Sequence, residues 1–104
     1  MAHFLLRLSP PRASFPQDAS AAEMTAMGAH SAYWQDQADR GAALAVGPVA
    51  DPGGIWGMAL VDVEDEARAQ GLADGDPIIT ADLGFTYEVL PVPSLTLREA
   101  LPRA

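Results

Sequence analysis

The sequence predicts a single α+β domain in which strands and helices follow each other in the order β-α-β-β-α-β. Three observations lead to this prediction: a helix-start motif occurs at residues 20–23, four segments have strand-like patterns, and proline or glycine lies between these elements. With 104 residues, the chain has the usual size of one domain with one core. We therefore expect one domain over residues 1–104, with its core at about 3–92 and an arm at 94–104.

The first strand is predicted at residues 3–8. An extended backbone places alternate side chains on opposite faces, the inner set being Phe4, Leu6 and Leu8 and the outer set His3, Leu5 and Arg7. Three prolines within residues 10–16 exclude regular hydrogen-bonded structure there. Residues 9–19 are therefore predicted to form a loop.

The first helix is predicted from Ser20-Ala-Ala-Glu23, a capping-box motif in which the serine and glutamate side chains satisfy free backbone N–H groups. Gly41 is a typical helix stop, so we expect the helix to end at Arg40. Residues at spacings of three and four form one apolar stripe, which consists of Met24, Met27, Ser31, Trp34 and Ala38.

The second and third strands are predicted at residues 42–50 and 55–63, on either side of a turn at 51–54. Pro48 has no N–H to donate, so the second strand is expected at a sheet edge or with a bulge. The third strand is mostly apolar on both faces, although a sheet with one solvated face should alternate apolar and polar residues. Two helices can cover only one face. We therefore expect a second copy of the chain to cover the other face in a homodimer.

Residues 63–73 are predicted to form a short helix with an acidic first turn, followed by the turn sequence Asp-Gly-Asp-Pro at 74–77. Residues 82–90 have the alternating pattern of a fourth strand, which is expected to end before the two prolines at 91 and 93. Its inward side chains are expected to be Leu83, Phe85, Tyr87 and Val89. The resulting order is the ferredoxin-like arrangement, a four-stranded antiparallel sheet with two helices on one face.

Composition excludes several classes of partner. The formal net charge of −8 repels nucleic-acid phosphates and anionic lipid headgroups. No apolar stretch approaches the ~20 residues of a membrane span, and the N-terminus lacks the pattern of a signal peptide. Cysteine is absent, which removes disulfides and thiolate chemistry. We expect a cytoplasmic protein without nucleic-acid or membrane partners.

The sequence contains no nucleotide-binding, metalloprotease or nucleophile-elbow motif, so neither a cofactor nor a metal ion is expected. His30 projects to the border of the apolar stripe, where it should be partly buried and need a hydrogen-bond partner. It is either a proton-transfer group or a structural histidine. Asp76 lies in a turn, where aspartate often binds its own backbone. His3 and Arg7 face either a cleft or a subunit interface.

The sequence resembles the pattern of the YCII-related family at four places taken together: Ala29-His30-Ser31-Ala32-Tyr33-Trp34, Gly41, Gly47-Pro48 and Gly75-Asp76-Pro77. The resemblance spans residues 3 to about 92. It implies the dimeric α+β barrel superfamily, in which two sheets pack face to face and each subunit has a small cleft between helix and sheet. It also implies a catalytic dyad, which in this chain corresponds to His30 and Asp76.

Such a dyad would work through a hydrogen bond from one ring nitrogen of His30 to Asp76, while the other nitrogen exchanges a proton with the substrate. This chemistry suits a cofactor-independent lyase or isomerase that acts on a small cyclic or enolisable substrate. Candidate pocket residues are Tyr33, Trp34 and Arg7, together with Trp56.

Two alternatives to an enzyme remain at the level of sequence. One is a non-catalytic module that binds a small molecule or a protein partner, and the other is a purely structural histidine–aspartate pair. Large aromatic residues at helical or strand spacing are usually core residues, so Trp34 and Trp56 are expected in the core rather than in a pocket.

Overall fold

The structure is a computed structural model that describes residues 1–98. Its elements in chain order are β1 (Ala2–Ser9), α1 (Ala21–Asp39), β2 (Ala43–Val49), β3 (Trp56–Val63), α2 (Glu66–Asp74), α3 (Pro77–Thr80) and β4 (Thr86–Pro91). The strands form one antiparallel sheet in the order β2-β3-β1-β4. The predicted ferredoxin-like α+β fold is therefore confirmed. Of the predicted arm, residues 94–98 contain neither helix nor strand, and 99–104 lie outside the described residues.

Strand β1 lies inside the sheet because it pairs with β3 on one side and β4 on the other. Its alternation is the predicted one: the inner residues Phe4, Leu6 and Leu8 are all buried. Leu6 has no exposed surface and stands opposite Ala59 of β3 and Val89 of β4. The inner face of the sheet is therefore apolar along its length, and this favours burial against the helices.

Helices α1 and α2 cover this inner face. The main core cluster combines strand and helix side chains: Phe4, Leu6, Trp34, Ala43, Ala59, Val61, Val63, Ala69, Leu72 and Ala73. A smaller cluster at the other end of the sheet contains Leu8, Phe15, Ala26, Ile78 and Phe85. The rings of Phe15 and Phe85 meet edge to face, with centroids 5.1 Å apart. The proline-rich loop thus contributes to the core although it has no regular structure.

Helix α1 begins and ends as predicted. Ser20 is its N-cap, and both hydrogen bonds of the capping box with Glu23 are present. Gly41 follows the helix with a φ of +85°, a left-handed conformation that glycine adopts without steric cost.

The predicted apolar stripe of α1 is only partly correct. Met24 is 56% exposed, whereas the buried helix residues are Glu23, Ala26 and Trp34. The reason is an ion pair that sequence spacing does not reveal: Arg12 of the loop donates to both carboxylate oxygens of Glu23, at 2.7 and 2.8 Å. A paired carboxylate can be buried, so Glu23 occupies an inward position that the predicted stripe did not include.

Strand β2 is an edge strand, as Pro48 predicted, and it carries a bulge between Ala43 and Ala45. Strand β3 starts at Trp56, one residue later than predicted, after the predicted turn in which Asp51 accepts a hydrogen bond from the Gly53 N–H. The outer face of the sheet carries several partly or fully exposed apolar side chains. In β1, β3 and β4 these are Leu5, Met58, Leu60 and Leu90.

The second half of the chain contains two departures from prediction. The turn at 74–77 leads into the short helix α3, for which Asp76 is the N-cap and Pro77 the first residue. Strand β4 starts at Thr86 instead of residue 82, because Asp82 and Gly84 have positive φ angles of 56° and 91° that interrupt an extended backbone. The inward direction of Phe85, Tyr87 and Val89 is nevertheless as predicted.

No helix within residues 1–98 is both long enough and apolar enough to cross a membrane.

Candidate functional site

His30 and Asp76 are in direct contact. Nδ1 of His30 lies 2.7 Å from Oδ2 of Asp76, although the residues are 46 positions apart in the chain. The His30 side chain is 13% exposed, which agrees with the partly buried position predicted for it. Its other ring nitrogen, Nε2, has no hydrogen-bond partner among the described residues. The contact therefore leaves one nitrogen of the ring available to a ligand.

The Asp76 side chain is the centre of the site and has no exposed surface. Its Oδ2 atom accepts hydrogen bonds from His30, from Trp34 Nε1 at 2.8 Å and from the Tyr87 hydroxyl at 2.5 Å. Its Oδ1 atom accepts from the backbone N–H of Ile78 at 3.0 Å. A carboxylate can accept about four hydrogen bonds, so this group is fully satisfied inside the protein.

These hydrogen bonds decide the charge of the site. Burial alone raises the pKa of Asp76, but the hydrogen bonds from His30, Tyr87, the Ile78 N–H and Trp34 outweigh burial and lower that pKa below its ordinary value. Burial and the hydrogen bond to Asp76 raise the pKa of Tyr87 well above its ordinary value. Asp76 is therefore an anion at neutral pH, and Tyr87 is a neutral donor.

Local structure explains how distant residues meet here. His30 and Trp34 are four residues apart on α1, so one helix turn separates them and they share a face. Asp76 caps α3, whose first turn presents the Ile78 N–H to the same carboxylate. Tyr87 extends from β4 on the inner face of the sheet. The site thus joins α1, α3 and β4 at one side chain.

A cavity of about 600 Å³ opens next to this cluster, between α1 and strands β2 and β3. Its size suits a small organic ligand. His30, Trp34 and Tyr87 belong to its wall, and Ser31 and Gln35 add a hydroxyl and an amide. The rest of the wall is largely apolar, with residues that include Leu8, Phe15, Met27, Ala38, Leu44, Val46, Ile55 and Phe85. Four members of the predicted helix stripe therefore face the sheet across this cavity.

The other predicted pocket residues lie elsewhere. The Tyr33 hydroxyl donates to the backbone carbonyl of Leu72 at 2.8 Å, and Tyr33 does not belong to the cavity wall. Arg7 lies on the outer face of the sheet, with its guanidinium 4.5 Å from the centre of the Trp56 ring. The structure therefore does not bring Tyr33 or Arg7 to the cavity.

The two tryptophans differ in environment. Trp34 is a core residue with 2% exposure, as predicted, and it also lines the cavity. Trp56 is only half-buried, which corrects the prediction that it belongs to the core. The reason is that its ring packs against the Arg7 guanidinium on the outer face of the sheet, and its indole N–H donates to the exposed Asp51 at 3.3 Å.

Sequence reasoning missed Tyr87 and the Ile78 N–H. The alternation of residues 82–90 correctly turned Tyr87 inward, but alternation says nothing about what a tyrosine hydroxyl will meet. The Ile78 contact depends on α3, and an aspartate before proline is a usable sign of such a helix start because proline is favoured at the first helical position.

The side chains brought together here are suited to proton transfer. Within residues 1–98, no group of three or more histidine, aspartate or glutamate side chains is arranged to hold a metal ion. The polar groups that are present comprise an anion held by four donors, one of which is the imidazole of His30 through a single nitrogen. This is the arrangement by which a carboxylate orients a histidine base.

Comparison with curated proteins gives no match. Comparison with protein families matches residues 6–93 to the YCII-related domain, a span that contains the second half of β1, the loop, strands β2 to β4, all three helices and every side chain of the site. The chain therefore belongs to the YCII-related family.

Proposed function

We propose that the protein is a cofactor-independent lyase or isomerase in which His30 removes and returns a proton on a small cyclic or enolisable substrate. The observation that carries this proposal is the 2.7 Å contact between His30 Nδ1 and Asp76 Oδ2 at the wall of a cavity of about 600 Å³. A base positioned in this way contributes typically about 10²–10⁴-fold to the rate. That range is sufficient for a substrate whose C–H or O–H bond is already acidic.

In the proposed mechanism, neutral His30 donates its Nδ1–H to Asp76, and the lone pair on Nε2 accepts the substrate proton. The imidazolium that forms is stabilised by the buried carboxylate. In an isomerisation, Nε2 returns the proton to a different substrate atom. In an elimination, the electron pair of the broken C–H bond forms a double bond while the leaving group departs with its own bonding pair, and Nε2 then gives its proton to the leaving group or to water. Ser31, which follows His30 and lines the same cavity, supplies a hydroxyl that can donate to a developing enolate oxygen.

The test uses proton exchange, because exchange reports base catalysis before the product is known. Cyclic ketones, lactones and halogenated cyclic ketones are incubated with the protein in D₂O, and deuterium uptake next to the carbonyl group is followed by NMR. We expect uptake with at least one class, and a loss of about 10²–10⁴-fold in His30→Gln. His3→Gln is the matched control, since His3 lies on the outer face of the sheet.

A second candidate function is non-catalytic binding of an apolar small molecule. It is favoured by one observation: Asp76 also ties α1, α3 and β4 together, so its contacts have a structural use without catalysis. Binding without deuterium uptake in the same set of compounds would support this candidate. Equal uptake in wild type and His30→Gln would contradict the enzyme proposal.

We also propose that two copies of the chain pack through the outer faces of their sheets. Leu5, Met58 and Leu60 form an apolar patch there. Burial of such a patch is a usual driving force for association. The cytoplasmic location remains a prediction from the sequence.

A further inference from the structure

The charges around the cavity select the kind of molecule that it can hold. Among residues 1–98, its wall contains no arginine, and the sequence has no lysine at all. The polar wall groups are His30, Ser31, Gln35 and Tyr87. None of these carries a permanent positive charge.

The arginines near the site are engaged in other places. Arg12 binds Asp18 and Glu23, and Arg40 binds Asp36 at 2.9 Å. Arg7 lies over Trp56 on the outer face of the sheet. An anionic ligand in the cavity therefore finds no fixed counter-charge from these side chains.

A negative charge is instead present behind the wall. Asp76 is buried, has four hydrogen-bond donors directed at it, and contacts His30 and Tyr87, both of which line the cavity. A carboxylate or phosphate on the ligand would lie near this like charge in surroundings that screen it weakly. A charged ligand of either sign would also lose hydration against mainly apolar side chains, and a cation could not pair with Asp76, whose oxygens have no exposed surface and already accept four hydrogen bonds.

We infer that the cavity takes its substrate uncharged, as a largely apolar molecule with one hydrogen-bonding group, and rejects carboxylates and phosphates. This inference rests on the proposed function for the step that follows binding, in which His30 removes the acidic proton. The substrate becomes an anion only as His30 becomes a cation, so the total charge of the site is unchanged throughout the reaction.

The experiment uses three ring compounds of nearly equal size at neutral pH: uncharged benzyl alcohol, anionic benzoate and cationic benzylammonium. Binding is followed by NMR through the indole N–H signal of Trp34, which is assigned by its persistence in Trp56→Phe. Trp34 lines the cavity and donates to Asp76, so this signal responds to an occupant. We expect benzyl alcohol to bind about tenfold or more tightly than benzoate.

A matched pair of variants isolates the effect of charge. Ser31 lies in the cavity wall, and no acidic residue stands three or four positions away on α1. Ser31→Lys should therefore place an unpaired cation in the cavity and shift the affinity ratio towards benzoate by about tenfold. Ser31→Gln, of similar length but uncharged, should leave the preference for benzyl alcohol in place.

Three results would overturn the inference: tighter binding of benzoate to the wild type, tighter binding of benzylammonium than of benzyl alcohol, or no response to benzyl alcohol up to its solubility limit. These probes do not react, so the result is independent of catalysis. A preference for benzyl alcohol without deuterium uptake by any substrate would remove the proposed function and retain the charge selectivity. Deuterium uptake together with tighter binding of benzoate would retain the proposed function and remove the charge selectivity.

Discussion

The indole nitrogen of Trp34 and the hydroxyl oxygen of Tyr87 lie 3.0 Å apart, and both groups also donate to the same oxygen of Asp76. The Trp34 N–H is thus shared between two acceptors, while the Tyr87 hydroxyl accepts one hydrogen bond and donates another. Each member of this triangle orients the next. His30 is the third side chain that binds this carboxylate. Its ring position therefore depends on Asp76 directly, and on Trp34 and Tyr87 through Asp76.

Removal of the Tyr87 hydroxyl should destabilise the protein measurably. Tyr87→Phe deletes a donor to a buried anion, and we expect the free energy of unfolding to fall by about 1.5–3 kcal/mol. Urea unfolding followed by tryptophan fluorescence measures this change. Tyr33→Phe is the control, because the Tyr33 hydroxyl donates to an uncharged carbonyl and should contribute only about 0.5–1.5 kcal/mol. An equal or smaller loss in Tyr87→Phe would show that its hydroxyl does not stabilise the anion.

The tautomer of His30 provides a test of its orientation by Asp76. Because Nδ1 faces the carboxylate, neutral His30 should carry its proton on Nδ1 and expose the lone pair of Nε2. The ¹⁵N chemical shifts of the two ring nitrogens distinguish the tautomers directly. In Asp76→Asn we expect this preference to be lost, with His3→Gln used to assign the signals. A proton on Nε2 in the wild type would exclude Nε2 as the proposed base.

Acid should weaken the connection between the loop and α1. Hydrogen bonds from Arg12 lower the pKa of Glu23 from 4.5 to about 2 in the folded protein. Between these values the unfolded chain binds more protons at this site than the folded chain does, so unfolding is favoured as pH falls. The contribution of Glu23 to stability should be complete above pH 4.5 and lost as pH approaches 2.

Glu23→Gln isolates this contribution because glutamine also serves in a capping box. The free energies of unfolding of wild type and variant should differ above pH 4.5 and converge close to pH 2. A difference that is constant over this range would mean that the charge of Glu23 does not stabilise the fold. Urea titrations at several pH values provide the measurement.

The proposed homodimer predicts a specific effect of charge on the outer face. Leu60 stands opposite Leu5 in the sheet, and Leu60→Arg should place a cation in the interface and produce monomers of 10.9 kDa. Light scattering after size-exclusion chromatography measures the mass. Met24→Arg is the matched control, because Met24 is exposed on α1 and should leave the dimer intact. A wild-type protein that is monomeric at micromolar concentration would contradict the proposal.

Much of the fold follows from local sequence signals. The capping box at Ser20 and Glu23 positioned the start of α1 correctly, and alternation in β1 identified its buried face. The signals that failed depend on contacts between distant segments. Spacing alone put Met24 in the apolar stripe, and it could not show that Arg12 of the loop pairs with Glu23.

The site was predictable only in part for the same reason. The family pattern named His30 and Asp76, and the structure brings these two together, whereas their catalytic role remains a proposal. Alternation in β1 placed Arg7 on the outer face but could not tell whether a cleft lies there, and in the structure Arg7 is not part of the cavity wall. The contribution of Tyr87 required the register of β4 and the position of α3, neither of which a single sequence reveals.

The edge strands restrict how the sheet can associate with other chains. Pro48 removes a backbone donor from β2, and the bulge between Ala43 and Ala45 interrupts its regular spacing. At the opposite edge, β4 ends at Pro91. The interrupted edge of β2 and the short edge of β4, with six residues, therefore disfavour strand-by-strand growth of the sheet into fibres. The protein can therefore expose an apolar sheet surface with a reduced risk of the edge-to-edge aggregation that such sheets usually carry.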